Sequence, residues 1–284
     1  MDVSQLISSV HSKLLSFSLL NHKTLPTPLP PPTFPSKVST LIDHTLLSVP
    51  TTAEDIQRIC EEALLHSFKS VCIPPSHVPL ASKLLSHSSV LTCTVISFPN
   101  GYSTSSVKAS ETSLSIKNSA EEIDMVTNVS YLKSLSVCLE RDDREGAKVY
   151  RDKYVEDVMR VCEAAEGVTV KCIIEIGALT DEEIAIASFL FRECIYQNVQ
   201  NNQPTHGPHY IKTSTGFNGY AGATTNAVRI MADVVRECGG KVKASGGVGT
   251  LEQARKIVEA GAERIGASKG VKIVEGGEGG EGGY

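Results

Sequence analysis

No stretch of the 284 residues approaches the run of about 20 apolar side chains that a membrane-spanning helix needs, so no membrane anchor is expected. Positive charge is in short supply as well. The 27 Lys and Arg face 32 Asp and Glu, for a net charge of -5. That balance argues against broad nucleic-acid binding and leaves room for an anionic substrate only at a local site. The eight cysteines show no CxxC pair and no Cys/His ligand spacing. Neither a disulfide framework nor a zinc site is expected, and reduced thiols in the cytoplasm are. Arginine is absent from residues 1–23, whereas transit peptides are usually Arg-rich. Leu6, Val10, Leu14 and Leu15 fall at helical spacing there, and a docking helix, a ragged terminus and a transit peptide all stay open.

What the chain does have is order in its middle. Residues 24–36 carry a run of prolines that suits neither helix nor central strand, which reads as a semi-rigid linker. The end, GGEGGEGGY, reads as a flexible Gly/Glu-rich tail that closes in Tyr284. The division expected is an extension over 1–36, one domain over 37–275 and a tail over 276–284. Inside that domain, short apolar strands near Leu41–Leu46, Ser70–Ile73, Leu91–Ser97, Ile123–Thr127, Thr169–Ile174, Tyr210–Thr213, Lys241–Ala244 and Arg264–Gly266 alternate with helical patterns. Thr52, Thr180 and Thr250 stand where helix caps belong. Eight strand–helix units in about 240 residues predict a (β/α)8 barrel. An open doubly wound sheet is the runner-up, but it lacks its glycine fingerprint, since Ser48-Val49-Pro50 follows the first strand. Val137–Lys148 and Gln197–Pro208 look inserted.

Ionisable residues inside apolar strands are costly unless they serve the mouth of a barrel. Asp43, Asp124, Lys171 with Glu175 four residues on, Lys212 and Lys243 are such residues. Lys212 and Lys243 fall on adjacent strands, where two ammonium groups repel and one sheds its proton more readily. A neutral lysine amine attacks carbonyls to form a Schiff base, and Asp124 is placed to move protons. Glycine-rich turns follow the last two strands: Gly246 and Gly247 in one, Gly266, Ser268 and Gly270 in the other. Together with Thr213 and Gly216 they suit a phosphate at a barrel rim. From the residues alone, the chain reads as a lysine-dependent barrel enzyme acting on a phosphorylated carbonyl compound.

The motifs LIDHTLL, SVCIPP, SFPNGYSTSSVKASET, EEIDMV, VKCIIEIGALTDEE, YIKTSTGF, VKASGGVGTLEQA and RIGASKGVKIV, in this order between Leu41 and Val274, resemble the deoxyribose-phosphate aldolases. The resemblance implies a class I aldolase, free of metal and cofactor, that cleaves 2-deoxy-D-ribose 5-phosphate into glyceraldehyde 3-phosphate and acetaldehyde. It implies Lys212 as the Schiff-base lysine, Lys243 as its perturbing neighbour and Asp124 as the acid/base partner. Asp43, Cys72 and Lys171 line the pocket in that reading. Thr213, Gly216, Gly246, Gly247, Gly266 and Ser268 bind substrate. Some members of the family end in a tyrosine that enters the site, which points to Tyr284 as a proton relay. Gly249 and Lys269 depart from the family pattern, as if positive charge had moved from one turn to the other. The implied partner is a small sugar phosphate, with no nucleic acid or membrane, and the oligomeric state stays open, a homo-oligomer included. The other readings are a lysine aldolase or transaldolase for a different sugar phosphate, and a sensor that lost turnover. Loss of Asp124, Lys212 or Lys243 would favour the sensor, and all three are present.

Overall fold

The computed structural model describes residues 2–25, 27–200 and 207–276. In chain order the elements are α1 (Val3–Ser16), β1 (Ile42–Thr45), α2 (Ala53–His66), β2 (Ser70–Ile73), α3 (Val78–Leu85), β3 (Leu91–Ile96), α4 (Ser105–Lys117), β4 (Glu122–Val126), α5 (Val129–Glu140), α6 (Arg144–Ala164), β5 (Thr169–Ile173), α7 (Asp181–Gln200), β6 (Tyr210–Lys212), α8 (Thr225–Val235), β7 (Lys241–Ser245), α9 (Leu251–Glu259), β8 (Arg264–Ala267) and α10 (Gly270–Glu275). The eight strands pair in sequence order, all parallel, and β8 closes on β1. The fold is a (β/α)8 barrel.

The three expected caps form. Thr52 and Asp55, Thr180 and Glu183, and Thr250 and Gln253 each exchange side-chain and backbone hydrogen bonds at a helix start. The segment Val137–Lys148 is helical at both ends. It is the last turn of α5, a short turn and the first turn of α6, which Asp143 caps through Gly146 N. In Gln197–Pro208, the first four residues finish α7, and 201–206 lie outside the described residues.

The N-terminal extension is a docking helix. Ile7, Val10, His11 and Leu14 of α1 are buried against the barrel helices, and the His11 ring stacks on Phe189 of α7 at 5.2 Å. Lys13 pairs with Glu182 at 2.9 Å. The proline-rich segment beyond it lies against the same body. Thr27 N donates to Glu237, Arg236 donates to Leu29 O, and Arg255 sits over the Phe34 ring.

Strand side chains alternate. Those facing outward, among them Ile42, Val71, Ile123, Met125, Val170, Ile211, Val242 and Ile265, belong to the main apolar core shared with the helices. The inward set is mostly polar, and it builds the site.

Candidate active site

The pleat and the strand register sort the inward residues into layers taken from alternate strands, as in other barrels of this kind. The floor holds Ser70, Glu122, Tyr210 and Arg264. The middle layer holds Asp43, Cys93, Lys171 and Lys243. Cys72, Asp124, Lys212 and Gly266 stand above it. A barrel interior is ordinarily filled with branched apolar side chains. Here it holds four cations and three carboxylates, all of them buried.

Asp124 is the hub. Its Oδ2 accepts from Lys212 Nζ at 2.7 Å and Lys243 Nζ at 2.6 Å, and its Oδ1 accepts from Lys171 Nζ at 2.8 Å. Lys171 also lies 2.8 Å from Glu122, and Lys243 lies 2.5 Å from Asp43. Below them Arg264 donates to Asp43 Oδ1 at 2.7 Å and to Glu122, and Ser70 Oγ donates to Asp43 at 2.6 Å. Charge therefore alternates from contact to contact: the Arg264 guanidinium, the Asp43 and Glu122 carboxylates, the Lys171 and Lys243 ammonium groups, Asp124, and then Lys212. Removing Asp124 strands Lys212, whose one ion pair among the described residues is with it, at a cost of about 3–5 kcal/mol.

Burial alone would raise the Asp43 and Asp124 carboxyls. The surrounding cations outweigh it: Arg264, Lys243 and Lys171 for Asp43, and the three lysines for Asp124. Both stay ionised well below the usual range. Burial likewise works against Lys171 and Lys243, but Asp124 and the other acidic groups beside them hold both firmly protonated. Lys212 differs by position. It has one carboxylate partner where Lys243 has two and Lys171 three. Its side chain is 4% exposed, whereas Lys171 and Lys243 are 0% exposed. Of the three lysines it has the fewest ion pairs among the described residues and the only side-chain exposure.

Next to the charges lies a small apolar cluster separate from the main core. It consists of Leu47, Cys72, Cys93 and Val95, with Phe98 and Phe217 packed on it, their two rings edge to face at 5.1 Å. Cys93 Sγ is 3.3 Å from Asp124 Oδ1 and Cys72 Sγ is 4.0 Å from Oδ2. The hydrogen bond with Cys93 lowers the Cys72 thiol despite burial, whereas burial pushes Cys93 well up. Cys72, Cys93 and Asp124 lie close enough to share a cation. The lysine ammonium groups already supply positive charge to that carboxylate.

Other expected site residues fall differently. Thr213 Oγ1 is occupied by the backbone: it donates to Ser245 O and accepts from Ser245 N, both at 2.9 Å. That stitches β6 to β7 and leaves the substrate role expected of Thr213 without a free hydroxyl. Gly266 is no turn residue but part of β8, where a Cβ would sit 2.3 Å from Ser245 Oγ. Its missing side chain makes room for that hydroxyl and for Lys243. Gly246, with φ +85°, packs backbone to backbone on Gly222. Gly247, with φ +78°, faces open space, as a residue approaching an anion must. Gly216 and Ser268 lie in the turns after β6 and β8, and Ser268 is exposed. Tyr284 lies outside the described residues.

Glu122, Arg264, Cys93, Ser70 and Ser245 were not singled out from the sequence. Alternation would have found four of them: Glu122 lies two residues before Asp124, Arg264 two before Gly266, Ser70 two before Cys72 and Ser245 two after Lys243, whereas no expected site residue shares β3 with Cys93. Glu175 was noted without a role. Its carboxylate accepts from Thr215 Oγ1 at 2.5 Å and clasps the turn after Lys212.

Residues 37–276 match the profile of the DeoC/LacD family aldolases. The chain belongs to this family. The chain is 45% identical over 236 residues to a deoxyribose-phosphate aldolase of Staphylococcus epidermidis, covering 83% of this chain and 94% of that one. Against deoxyribose-phosphate aldolase 2 of Staphylococcus aureus strain MRSA252 it is 46% identical with the same coverage. Among solved structures, a protein from Coccidioides immitis, provisionally described as a deoxyribose-phosphate aldolase, superposes with a TM-score of 0.74. It is 33% identical and covers 97% of both chains. The tetrameric deoxyribose phosphate aldolase of Aeropyrum pernix superposes with a TM-score of 0.68 at 28% identity, covering 84% of this chain and 89% of that one. In this family, the layered charges are the expected setting for lysine chemistry.

Proposed function

We propose that this enzyme cleaves 2-deoxy-D-ribose 5-phosphate to glyceraldehyde 3-phosphate and acetaldehyde through a Schiff base on Lys212. The observation that carries the reading is the single carboxylate, Asp124, bonded to three lysines of which Lys212 alone has side-chain exposure. The Lys212 amine adds to the C1 carbonyl. Asp124, within hydrogen-bond reach of that nitrogen, returns a proton to the carbinolamine oxygen as water leaves. The resulting iminium accepts the electron pair of the C2–C3 bond while the C3 hydroxyl loses its proton, and glyceraldehyde 3-phosphate departs. The enamine left on Lys212 takes a proton at C2, and water releases acetaldehyde. Lys171 and Lys243 remain cations and keep Asp124 ionised between transfers.

The small apolar wall of Leu47, Cys72, Cys93 and Val95 favours a two-carbon donor over the larger ones of other lysine aldolases and transaldolases. Gly247, Ser268 and Gly216 surround the 5-phosphate in this reading. Lys269 supplies its charge: the Lys269 stem passes 3.2 Å from where a Gly249 Cβ would be, so a side chain at 249 and Lys269 compete for one space. Tyr284 acts as a proton relay at C2, a role that rests on the sequence. Among the described residues no helix is long and apolar enough to cross a membrane. A cytoplasmic homo-oligomer of residues 1–36 docked on a 37–275 barrel completes the reading. The test is release of acetaldehyde and glyceraldehyde 3-phosphate from deoxyribose 5-phosphate, each followed by a coupled dehydrogenase. Absence of both products from the purified enzyme contradicts the proposal.

A further inference from the structure

A second buried ion pair lies outside the barrel wall, where no substrate reaches. Lys108 of α4 and Asp157 of α6 meet at 2.7 Å, with side chains 0% and 1% exposed. Each also holds the backbone that leaves β4. Lys108 Nζ donates to Val126 O at 2.8 Å, and Asn128 N donates to Asp157 Oδ2 at 2.9 Å. The four groups close a ring around Thr127. Thr127 is fixed from the other side, since its N and Oγ1 both donate to Ile173 O at 3.0 Å. The loop after β3 also presses on it: a Cβ on Gly101 would come 2.3 Å from Thr127 O. Val126 is two residues beyond Asp124 on the same short strand.

Stability does not explain why this pair is ionic. Burial pulls Lys108 down and pushes Asp157 up, and each group's attraction to the other works against that shift. Well-packed apolar side chains often replace such a pair with no loss of stability. What they lack is a donor for Val126 O and an acceptor for Asn128 N–H. Asp124, in turn, needs an exact height. Its two oxygens meet three ammonium nitrogens at 2.6–2.8 Å, and a shift of about 1 Å carries these contacts out of hydrogen-bond range.

We propose that Lys108 and Asp157 are positioning residues for Asp124: their grip on Val126 and Asn128 holds the carboxylate in register with Lys171, Lys212 and Lys243. The inference rests on the aldolase reading above. The test is the double variant Lys108→Met/Asp157→Leu, assayed for deoxyribose 5-phosphate cleavage, with borohydride trapping of acetaldehyde to count competent Lys212 sites. Turnover per trapped site falls roughly 10- to 100-fold, the scale of a misplacement near 1 Å, while KM changes little. A role in folding alone lowers the number of sites and leaves turnover per site at the wild-type value, and that result overturns the inference. Asp157→Glu is the second variant. It keeps the ion pair but moves the carboxylate by one methylene, so it folds where the double variant does not, and it loses turnover per site in the same sense. Wild-type turnover per site in Asp157→Glu also overturns the inference. A wild-type enzyme without cleavage activity removes the aldolase reading beneath it, whereas an active wild type beside a fully active double variant removes the inference alone.

Discussion

Lys212 and Lys243 share one oxygen. Asp124 Oδ2 lies 2.7 Å from the first nitrogen and 2.6 Å from the second, and the two lysines are register partners on β6 and β7. Lys243 has a second carboxylate, Asp43, and among the described residues Lys212 has none. The pair is therefore unequal: Lys243 is held between two carboxylates, and Lys212 meets one.

Lys243→Met tests that division. Each carboxylate of the array keeps a cation after the change, because Asp43 retains Arg264 and Asp124 retains Lys171 and Lys212. The variant is expected to fold, to form the Lys212 adduct and to lose turnover by about 10²-fold, the scale of a catalytic group out of place, because Asp124 loses one of the cations that hold it. Steady-state kinetics beside adduct trapping checks this. Wild-type turnover would show that Lys243 is only a strut.

The depressed carboxyls make stability depend on acid in a defined direction. Asp43 and Asp124 stay ionised in the folded chain while the unfolded chain takes up protons near their ordinary value of about 3.9. Their contribution is present above that value and is lost as pH falls through the lower folded values. Urea unfolding from about pH 5 to pH 3 is expected to show stability falling with acid, more steeply in wild type than in Asp43→Asn. Equal slopes would mean that Asp43 carries none of this linkage.

Two neighbouring glycines separate packing from binding. Gly246→Ala drives a Cβ against the Gly222 backbone at positive φ and is expected to cost about 2 kcal/mol or more, seen as a lower Tm. Gly247→Ala meets open space and should cost about 1 kcal/mol of backbone strain. Its larger effect is expected on substrate: KM rises roughly five- to tenfold for deoxyribose 5-phosphate, about 1–1.4 kcal/mol, and little for unphosphorylated deoxyribose. An equal rise for both substrates places the phosphate elsewhere.

Tyr284→Phe is expected to slow hydrogen exchange at the acetaldehyde methyl group while Lys212 trapping is unchanged. Deletion of 277–284 should do the same. Full exchange in both variants makes Tyr284 a bystander.

The barrel and the heart of the site were legible for one reason. A charge inside a short apolar strand has few explanations, so Asp43, Asp124, Lys171, Lys212 and Lys243 stand out. Glu122 and Arg264 did not, because each begins its strand and reads as a surface charge at a strand end. Alternation with Asp124 and Gly266 is the one signal for them in the chain, and their contacts with Lys171 and Asp43 show them as the floor of the array. The rim was harder still. Thr213 and Gly266 belong to the right segments, yet one hydroxyl serves the backbone and one glycine makes room for Ser245, which depends on packing between strands that spacing along a chain does not encode. The helices α3 and α5 carry weak signals for a local reason: Pro79 stands in the first turn of one, and serines interrupt the apolar face of the other.

The central claim is that Lys212 is the lysine that forms the covalent bond. Incubation with acetaldehyde, reduction with borohydride and peptide mapping tests it most directly. One ethylated lysine is predicted, at Lys212, and Lys212→Ala should carry none. An ethyl group on Lys171 or Lys243 of the wild-type enzyme would contradict the account.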